Sequence, residues 1–292
     1  MTIAVDSVGC LSGQLPDSVR FTMSSLKISG PLNGNDLKLI QTIAKNMRQR
    51  KEGETVLTEL DLADAVISES KGSFRTKPGV LPAAMFQGCK KLERVVMPAA
   101  TKEVSRSCFN GCTNLKEVEI PDEATVIGDY AFNGCSSLEA IKLPRALTTI
   151  ENHAFDDCST LAAIDLPEGV NLIDVAAFKN CSALERINLH ETQVKRIAAQ
   201  TFENCSHLTD IQLPPSVNAI DNNAFKNCTA LEEAQLADAL SKIGNSAFEG
   251  CSSLRTIEVQ SVGEVGSDSF KDCISLESIE LNKLTKIGNS AF

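Results

Sequence analysis

Residues 131–155, "AFNGCSSLEAIKLPRALTTIENHAF", contain one full period of the repeat that decides the fold. The stretch opens and closes on Ala-Phe, and a cysteine stands three residues after each phenylalanine, at Cys135 and Cys158. Phenylalanine recurs in this pattern at positions 86, 109, 132, 155, 178, 202, 225, 248, 270 and 292. This spacing of 22 to 24 residues predicts a solenoid, in which each repeat is one coil that buries its apolar side against its neighbours.

A leucine three residues after each repeat cysteine heads the pattern Leu-x-x-apolar-x-apolar, as in "LAAIDLP" and "LTDIQLP". Its last residues alternate with period two, which predicts a short strand with one buried face. Proline ends this strand in five coils, and a second short apolar stretch such as "LTTI" follows. Stacked coils then give parallel sheets, and we expect a leucine-headed strand in all nine coils, including "LEAIKLP" at 138–144.

The turn that carries the phenylalanine has its own pattern. The residue before each repeat cysteine is Gly, Asn or Asp, which predicts a left-handed residue at the end of a helical turn. Ser or Thr follows the cysteine in seven of nine coils, and its hydroxyl is expected to bond to the turn backbone. The single 24-residue step comes from an extra residue in "LHETQVKRI" (189–197). We expect the turn to absorb this residue while the apolar columns stay in phase.

The nine repeat cysteines could serve chemistry or packing. Zinc sites use paired ligands at C-x₂₋₄-C spacing, which only Cys108 and Cys112 approach, and Cys108 occupies a position that is alanine in most coils. A catalytic thiol would be unique and have a histidine partner, whereas here every coil carries one. Disulfides between coils would need side chains that face each other rather than run parallel. The pattern favours reduced cysteines buried as small apolar residues, with some disulfides or metal binding as the alternatives.

Other features of the sequence do not indicate a catalytic site. Three Asn-x-Ser/Thr sequons, at 180, 204 and 227, have the repeat cysteine as their middle residue, so the turn pattern explains them. No G-x-G-x-x-G, P-loop or G-x-S-x-G motif occurs. The sequence therefore predicts no enzyme, no catalytic residue, no cofactor and no metal. The histidines fall at different positions of the repeat and build no shared site: His153, His190 and His207.

Composition limits the partners and the compartment. The formal net charge of −10 argues against nucleic acid, because phosphate backbones require clustered Lys and Arg. No stretch approaches the eighteen unbroken apolar residues that span a membrane. The N-terminus "MTIAVDSVGCLSGQLPDSV" has no basic and no apolar region of the signal-peptide type, so we expect no signal peptide in this chain. The protein is then either cytosolic or separated from an export signal upstream of Met1.

Residues 1–80 do not follow the period and predict an N-terminal cap of strand, helix and strand. The strands are "SLKISG" (25–30) and "LTELDL" (57–62), and the stretch 68–79 predicts a loop. Residues 81–292 predict a solenoid of about nine coils that stops partway through a coil without a C-terminal cap, so we expect the sequence to be truncated or to continue in the full gene product. The helix lies in "NDLKLIQTIAKNMRQRKEG" (35–53), with Asn35 as N-cap and an apolar face of Leu37, Ile40, Ile43, Ala44 and Met47.

The consensus "AFxxCxxLxxIxLPxxLxxIxxxAF" closely resembles the BspA-like leucine-rich repeats, the class with a 23-residue period, over about residues 80–292. The segment before it looks like the cap that precedes these repeats in Bacteroides-type surface proteins. The resemblance implies an α/β fold, a right-handed horseshoe solenoid with a parallel sheet on its concave face and short helical turns elsewhere. It also implies a secreted or lipid-anchored protein that binds host matrix proteins or other cells. No lipobox cysteine is present in this chain, and no ligand carries over to particular residues.

The strand face of such a solenoid is its natural extended binding surface. Its exposed positions flank the inner apolar residue of each strand, and they contain more acids than bases and no aromatic residue. Broad, electrostatically steered contact with a basic protein fits this surface better than a small, tight footprint. The candidate partner-binding residues are Arg94, Glu117, Glu119, Lys142, Asp165, Arg186, Asn188, Asp210, Gln212, Glu233, Gln235, Glu258 and Glu280.

These observations support three hypotheses of different classes. The leading one is a non-enzymatic binding or adhesion module, whose partner is a protein such as a host extracellular-matrix protein or another cell surface. The second is architectural: the repeats form a spacer or a rod that associates end to end and has no ligand of its own. The third is a glycan-processing enzyme on a parallel β-helix, which needs clustered acids in a cleft that a regular solenoid does not have.

Overall fold

The computed structural model describes residues 1–45, 55–71, 74–258 and 261–292, with the side chain of Glu258 left out. It is a stack of coils in which each pair of neighbouring strands runs in parallel. The N-terminal segment contains β1 (Thr2–Ala4), α1 (Leu11–Gln14), β2 (Ser25–Leu32), α2 (Gly34–Lys45), β3 (Glu59–Asp61) and β4 (Ala65–Ile67). The later coils contain β5 (Arg94–Val96), β6 (Glu103–Val104), β7 (Glu117–Glu119), β8 (Val126–Ile127), β9 (Thr149–Ile150), β10 (Ala163–Ile164), β11 (Leu172–Ile173), β12 (Arg186–Ile187), β13 (Arg196–Ile197), β14 (Asp210–Gln212), β15 (Ala219–Ile220), β16 (Glu233–Gln235), β17 (Lys242–Ile243), β18 (Thr256–Glu258), β19 (Glu264–Val265), β20 (Ser278–Glu280) and β21 (Lys286–Ile287).

The strands form two series. The leucine-headed ladder comprises β3, β5, β7, β10, β12, β14, β16, β18 and β20, and the second ladder comprises β6, β8, β9, β11, β13, β15, β17, β19 and β21. The expected parallel β-solenoid is therefore confirmed. The right-handed coil and the concave curvature stay predictions.

A column of phenylalanine rings runs through the interior from Phe86 to Phe292. The nine successive ring pairs have centroid distances of 5.1 to 5.7 Å and interplanar angles of 3° to 19°. The repeat places each ring over the same point of the preceding coil, so the rings stack offset with almost no tilt. The repeat cysteines and leucines from Cys89 to Leu254 are buried in columns beside the rings. The predicted continuous interior is confirmed.

The turn that carries each phenylalanine is bonded to the next coil. The predicted left-handed residue before each repeat cysteine is confirmed, with φ between 58° and 75° from Gly88 to Asp272. A second left-handed column, two residues before each phenylalanine, was not expected. It runs from Ala84 to Ser290 and contains no glycine, so residue type did not signal it. The two left-handed residues of each turn stand four positions apart, and the N–H groups of every second residue between and including them point towards the next coil.

These N–H groups form a third series of bonds between coils, which we call the turn ladder. In the first turn, Ala84, Phe86 and Gly88 donate to the carbonyls of Arg106, Cys108 and Asn110 at 2.9, 2.8 and 2.7 Å. The hydroxyls after the cysteines also bond between coils rather than within their own turn, as Ser206 Oγ to the Ser182 carbonyl at 3.3 Å shows. Phe, Cys and hydroxyl columns therefore share one continuous side of the solenoid.

The leucine-headed ladder is interrupted where the sequence predicts it to continue. Residues 140–142 form no strand, so the expectation of a strand in "LEAIKLP" was wrong. The inner residue Ile141 is only half-buried, whereas Val118 and Ile164 in the flanking coils are buried.

The 24-residue step interrupts both strand ladders. Within residues 74–258, β12 does not pair with β14, and β11 does not pair with β13. The extra residue is taken up by a 3-10 turn at Leu189–Glu191. The rings of Phe178 and Phe202 stay stacked across this step, at 5.7 Å. The ring column continues across the extra residue, as expected. The strands on either side of the turn, however, do not pair.

The N-terminal segment has the expected order of strand, helix and strand, and β2 pairs with both β1 and β3. Of the predicted apolar helix face, Leu37, Ile40, Ile43 and Ala44 are buried, while Met47 lies outside the described residues. Gln41 on α2 donates to the Ala84 and Met85 carbonyls at 3.2 and 2.9 Å. Since β3 pairs with β5, one sheet crosses the proposed boundary at residue 80. The division into a cap and a solenoid domain stays a prediction.

The start of α2 differs in one detail from the expectation. Asn33, rather than Asn35, caps the helix, because its Oδ1 accepts the N–H groups of Asn35 and Asp36 at 2.9 and 3.3 Å. The buried Asp36 carboxylate in turn accepts the N–H groups of Gly9 and Leu11 at 2.7 and 3.1 Å. This carboxylate fixes the loop before α1 to the first turn of α2.

Candidate functional site

The candidate partner-binding residues lie on one face, the outer side of the leucine-headed ladder. Arg94 and Asn188 are half-buried, and the side chain of Glu258 lies outside the described residues. The remaining candidates are exposed: Glu117, Glu119, Lys142, Asp165, Arg186, Asp210, Gln212, Glu233, Gln235 and Glu280. The two interruptions of the ladder divide this face into parts with different electrostatics.

In the N-terminal part the charges are paired. The Arg94 guanidinium contacts Glu117 Oε2 at 3.2 Å through Nε and also contacts Glu119 through an Nη nitrogen. Val96, which the alternation predicts to be exposed, is 8% exposed. Exposed ion pairs add little to stability, but the Arg94 guanidinium offsets one of the two negative charges that a basic partner would meet.

The middle part contains the segment without a strand and the 3-10 turn. Lys142 Nζ approaches Asp122 Oδ1 at 4.0 Å. The Asn188 side chain is engaged in the fold: its Oδ1 accepts the Leu166 N–H at 2.6 Å, and its Nδ2 donates to the Leu166 carbonyl at 3.0 Å. This amide replaces the strand pairing that ends at Ile187. Asn188 therefore holds the turn in place, and only its neighbours Asp165 and Arg186 present free side chains on this part.

The C-terminal part is an unbroken sheet of four strands, β14, β16, β18 and β20. Its register sets Asp210 beside Glu233 and Gln212 beside Gln235. In the described part of the chain, neither Asp210 nor Glu233 lies within salt-bridge distance of a cation. Like charges side by side on a sheet repel one another. This sheet therefore carries negative charge that the fold itself does not neutralise.

The repeat cysteines are placed for packing. From Cys112 to Cys273, each thiol donates to the phenylalanine carbonyl of the preceding coil, at 3.0 to 3.3 Å. Sequence reasoning missed this acceptor, because the carbonyl comes from the neighbouring coil. Burial raises the pKa of the Cys89 and Cys273 thiols from an ordinary 9.0 to about 12, and it raises the pKa of the thiols between them. Such thiols carry almost no thiolate at neutral pH, so they are poor nucleophiles.

All eleven cysteines are free thiols, and Cys10 is the exposed one. The disulfide alternative is therefore not realised in the structure. Over the described ranges no three His, Cys, Asp or Glu side chains converge as a metal site would require. The interior thiols have a packing role, and this leaves the outer faces as the candidate functional surface.

One histidine has partners that the sequence did not indicate. His153 Nδ1 lies 2.8 Å from Asp156 Oδ2, and its ring stacks on Tyr130 at a centroid distance of 4.8 Å. Burial is the main cause of a raised pKa at Asp156. The other carboxylate oxygen accepts from Asn180 Nδ2 at 3.1 Å, which starts a chain of amides. This group lies on the turn side of the solenoid, where His153 is one of the left-handed residues.

The amide chain uses the asparagines of the three sequons. Asn204 Nδ2 donates to Asn180 Oδ1 at 2.7 Å, and Asn227 Nδ2 donates to Asn204 Oδ1 at 2.9 Å. Each asparagine thus bridges two coils while its backbone holds the left-handed conformation. The turn explains both the residue type and the sequon match.

Within the described parts of the chain, no helix has the length and apolarity needed to cross a membrane.

Comparisons with known proteins agree with the repeat architecture. The family described as BspA-type leucine-rich repeat region matches residues 80–205 and 184–292, with six copies. A leucine-rich repeat protein from Bacteroides ovatus is 26% identical with a TM-score of 0.60, over 76% of this chain and 70% of that one. One from Eubacterium ventriosum is 15% identical with a TM-score of 0.52, over 93% and 76%. A leucine-rich cell surface protein from Faecalibacterium prausnitzii is 20% identical with a TM-score of 0.44, over 92% and 88%. None of the curated proteins matches this chain.

Proposed function

The chain belongs to the BspA-type leucine-rich repeat family, and from this premise we propose that it is a protein-binding module of the adhesion type. Repeat scaffolds of this family are generally non-enzymatic and suggest interaction with proteins. The buried thiols and the regular outer faces are in accord with a role that uses surface rather than reaction chemistry.

The single observation that carries the proposal is the uncompensated acidic sheet of β14, β16, β18 and β20. Asp210 and Glu233 are neighbours in its register, and both are exposed. A basic protein segment would relieve their repulsion and gain attraction, which speeds encounter and selects against acidic partners. The proposed partner is a basic segment of a host extracellular-matrix protein or of another cell's surface. The proposed location is accordingly the cell surface or the secreted fraction.

The test uses two charge reversals on the same face. We expect Asp210→Lys with Glu233→Lys to weaken binding to basic matrix proteins about tenfold or more, since two attractive charges become repulsive. Glu117→Lys with Glu119→Lys makes the same change in charge, but at two carboxylates that both contact the Arg94 guanidinium, which offsets one of their two charges. This control pair should weaken binding less. Binding is measured by surface plasmon resonance at two salt concentrations, with poly-L-lysine as a charge-only ligand.

Equal binding by all three proteins would remove the acidic sheet from the proposal. If no matrix protein binds at either salt concentration and sedimentation shows end-to-end association, the architectural role replaces the adhesive one.

A further inference from the structure

The 24-residue step creates a seam in the solenoid. We define the seam as the junction between residues 172–188 and residues 196–212. At this junction β11 and β13 do not pair, and β12 and β14 do not pair, although residues 74–258 are all described. At the other interruption, around residues 140–142, the second ladder continues, because β8 pairs with β9. The seam is thus the junction at which both strand ladders stop together.

The regular coils show which bonds the seam lacks. One junction later, β14 pairs with β16 over three residues and β13 pairs with β15 over two. Across the seam the second-ladder side keeps one backbone bond outside the strands, from the Gln193 N–H to the Val170 carbonyl at 2.8 Å. The 3-10 turn at Leu189–Glu191 moves the chain out of the register that strand pairing requires.

The turn ladder, in contrast, crosses the seam intact. Ala176, Phe178 and Asn180 donate to the carbonyls of Ala199, Thr201 and Glu203 at 2.9, 2.9 and 2.8 Å. On the same side, Cys205 Sγ donates to the Phe178 carbonyl at 3.1 Å and Asn204 donates to Asn180 at 2.7 Å. The turn side of the junction is therefore bonded as in any other coil, while the strands of the two strand ladders do not pair across it.

A groove of about 750 Å³ lies just before the seam, lined by Leu143, Arg145, Asp165, Leu166, Asn188 and Glu191, among others. All of its lining residues precede β13 and β14. The stacked rings of Phe178 and Phe202 have the longest centroid distance of the column, 5.7 Å. The ring column therefore continues across the seam, with its largest spacing at this junction.

We infer that the seam is a hinge, with the turn ladder as its spine and the two strand ladders as the sides that open and close. The part before the seam and the part after it then move as two rigid bodies, because each has strand pairing within itself. Closely packed interiors move between discrete arrangements at places where few bonds hold the elements. The motion changes the spacing between the two halves of the strand face and leaves the turn side nearly unchanged. This inference does not depend on the proposed partner.

The test measures distances on both sides of the solenoid by double electron–electron resonance. Spin labels are attached to a keto-bearing phenylalanine, so that the native thiols do not interfere. One pair, at Lys116 and Glu277, lies on the strand face across the seam, seven coil steps or about 34 Å apart. A second pair, at Gln87 and Lys271, lies on the turn side across the same seam, about 38 Å apart. All four positions are exposed.

We expect the distance distribution of the strand-face pair to be about twice as wide as that of the turn-side pair. A third pair, at the exposed Glu59 and Arg186, lies on the strand face before the seam and includes the gap at 140–142. Its distribution should be as narrow as that of the turn-side pair. Equal widths for all three pairs would overturn the hinge, and a wide third pair would place the flexibility at residues 140–142 instead.

Deleting His190 provides a second, independent arm. The deletion shortens the step from Phe178 to the next repeat phenylalanine to 23 residues, which restores the register for both strand ladders. The strand-face distribution should then narrow to the width of the turn-side pair. A folded deletion variant with an unchanged wide distribution contradicts the inference. If the deletion variant does not fold, the comparison of the three pairs in the natural sequence still decides.

Discussion

The turn side and the strand side of this solenoid are built from the same coils but differ in regularity. On the turn side, stacked rings run from Phe86 to Phe292, and thiol bonds to the preceding coil run from Cys112 to Cys273. On the strand side, the leucine-headed ladder is divided into separate sheets, and its exposed residues differ from coil to coil. The turn side therefore holds the coils together along the whole stack, whereas the strand side differs from coil to coil in its pairing and in its exposed residues.

The thiols give the largest expected effect, through alkaline pH. A thiol whose pKa is raised in the folded state keeps its full contribution below about pH 9, where the unfolded thiol is also protonated. Between the ordinary pKa of 9.0 and the folded value of about 12 for Cys89, only the unfolded state loses its proton. Stability therefore falls as pH rises, by about 1.4 kcal/mol per pH unit for each such thiol.

Nine cysteines are fully buried, namely Cys108 and the eight repeat cysteines from Cys89 to Cys251. The summed loss in the free energy of unfolding between pH 8 and pH 10 is therefore on the order of 10 kcal/mol, as large as the stability of many domains. We expect urea midpoints that are constant from pH 6 to pH 8 and fall steeply above pH 9. Cys158→Ala should make the free energy of unfolding fall less steeply above pH 9, by about 1.4 kcal/mol per pH unit, which is the contribution of one thiol. A urea midpoint that stays level up to pH 10 would mean that the thiols are not held protonated by the interior.

The ring column gives the next largest effect. Phe155→Ala removes a buried ring that stacks on Phe132 and Phe178, and it should cost about 3–5 kcal/mol in the free energy of unfolding. Asp165→Ala on the strand side of the following coil should change it by less than about 0.5 kcal/mol. Urea unfolding of both variants tests whether stability lies on the turn side. Similar losses in the two variants would erase the contrast.

The amide chain tests the left-handed column separately from its hydrogen bonds. Asn204→Gly loses the side-chain bonds to Asn180 and Asn227 but accepts φ of 64°, so we expect a loss of about 1 kcal/mol. Asn204→Ala loses the same bonds and adds the strain of a left-handed alanine, for about 1 kcal/mol more. The difference between the urea midpoints of the two variants measures the strain of a left-handed alanine, because both variants lose the same hydrogen bonds. If alanine and glycine are equivalent there, the conformation at this position is not left-handed in solution.

The smallest effect concerns the second left-handed column. Ala84 has φ of 57°, so Ala84→Gly relieves strain and should raise the free energy of unfolding by about 0.5–1 kcal/mol. Ala154→Gly is the matched control, because Ala154 is buried beside the rings and is absent from the left-handed columns. That control should lower stability by about 1 kcal/mol. A loss of stability in both variants would contradict the left-handed conformation of Ala84.

Much of the fold followed from the sequence because the same columns recur in every coil. Phe, Cys and Leu at fixed spacing predicted the interior, and Gly, Asn or Asp before the cysteine predicted the left-handed residue. The second left-handed column escaped prediction, because Ala84, Tyr130 and Gln200 have little in common as residue types. Their conformation is imposed by hydrogen bonds to the next coil and not by their own preference.

The candidate surface was predictable in position but not in electrostatic character. Alternation placed Glu117 and Asp210 on the same face, and both are exposed. Glu117 contacts Arg94, which lies 23 residues before it, whereas no cation among the described residues lies within salt-bridge distance of Asp210. Asn188 likewise lies on the predicted strand face, yet its amide is bound to Leu166. Such pairings require the register of neighbouring coils.

The sequence by itself determined the coil, its period and the residues of its interior, because burial repeats wherever the spacing repeats. Only the tertiary structure decided where the strand ladders stop and which acids remain unpaired. The physical reason is that one coil can bury its apolar side by spacing alone, whereas strand pairing and ion pairing require two coils to be in register. At the 24-residue step the apolar columns and the turn ladder continue, whereas the two strand ladders do not pair.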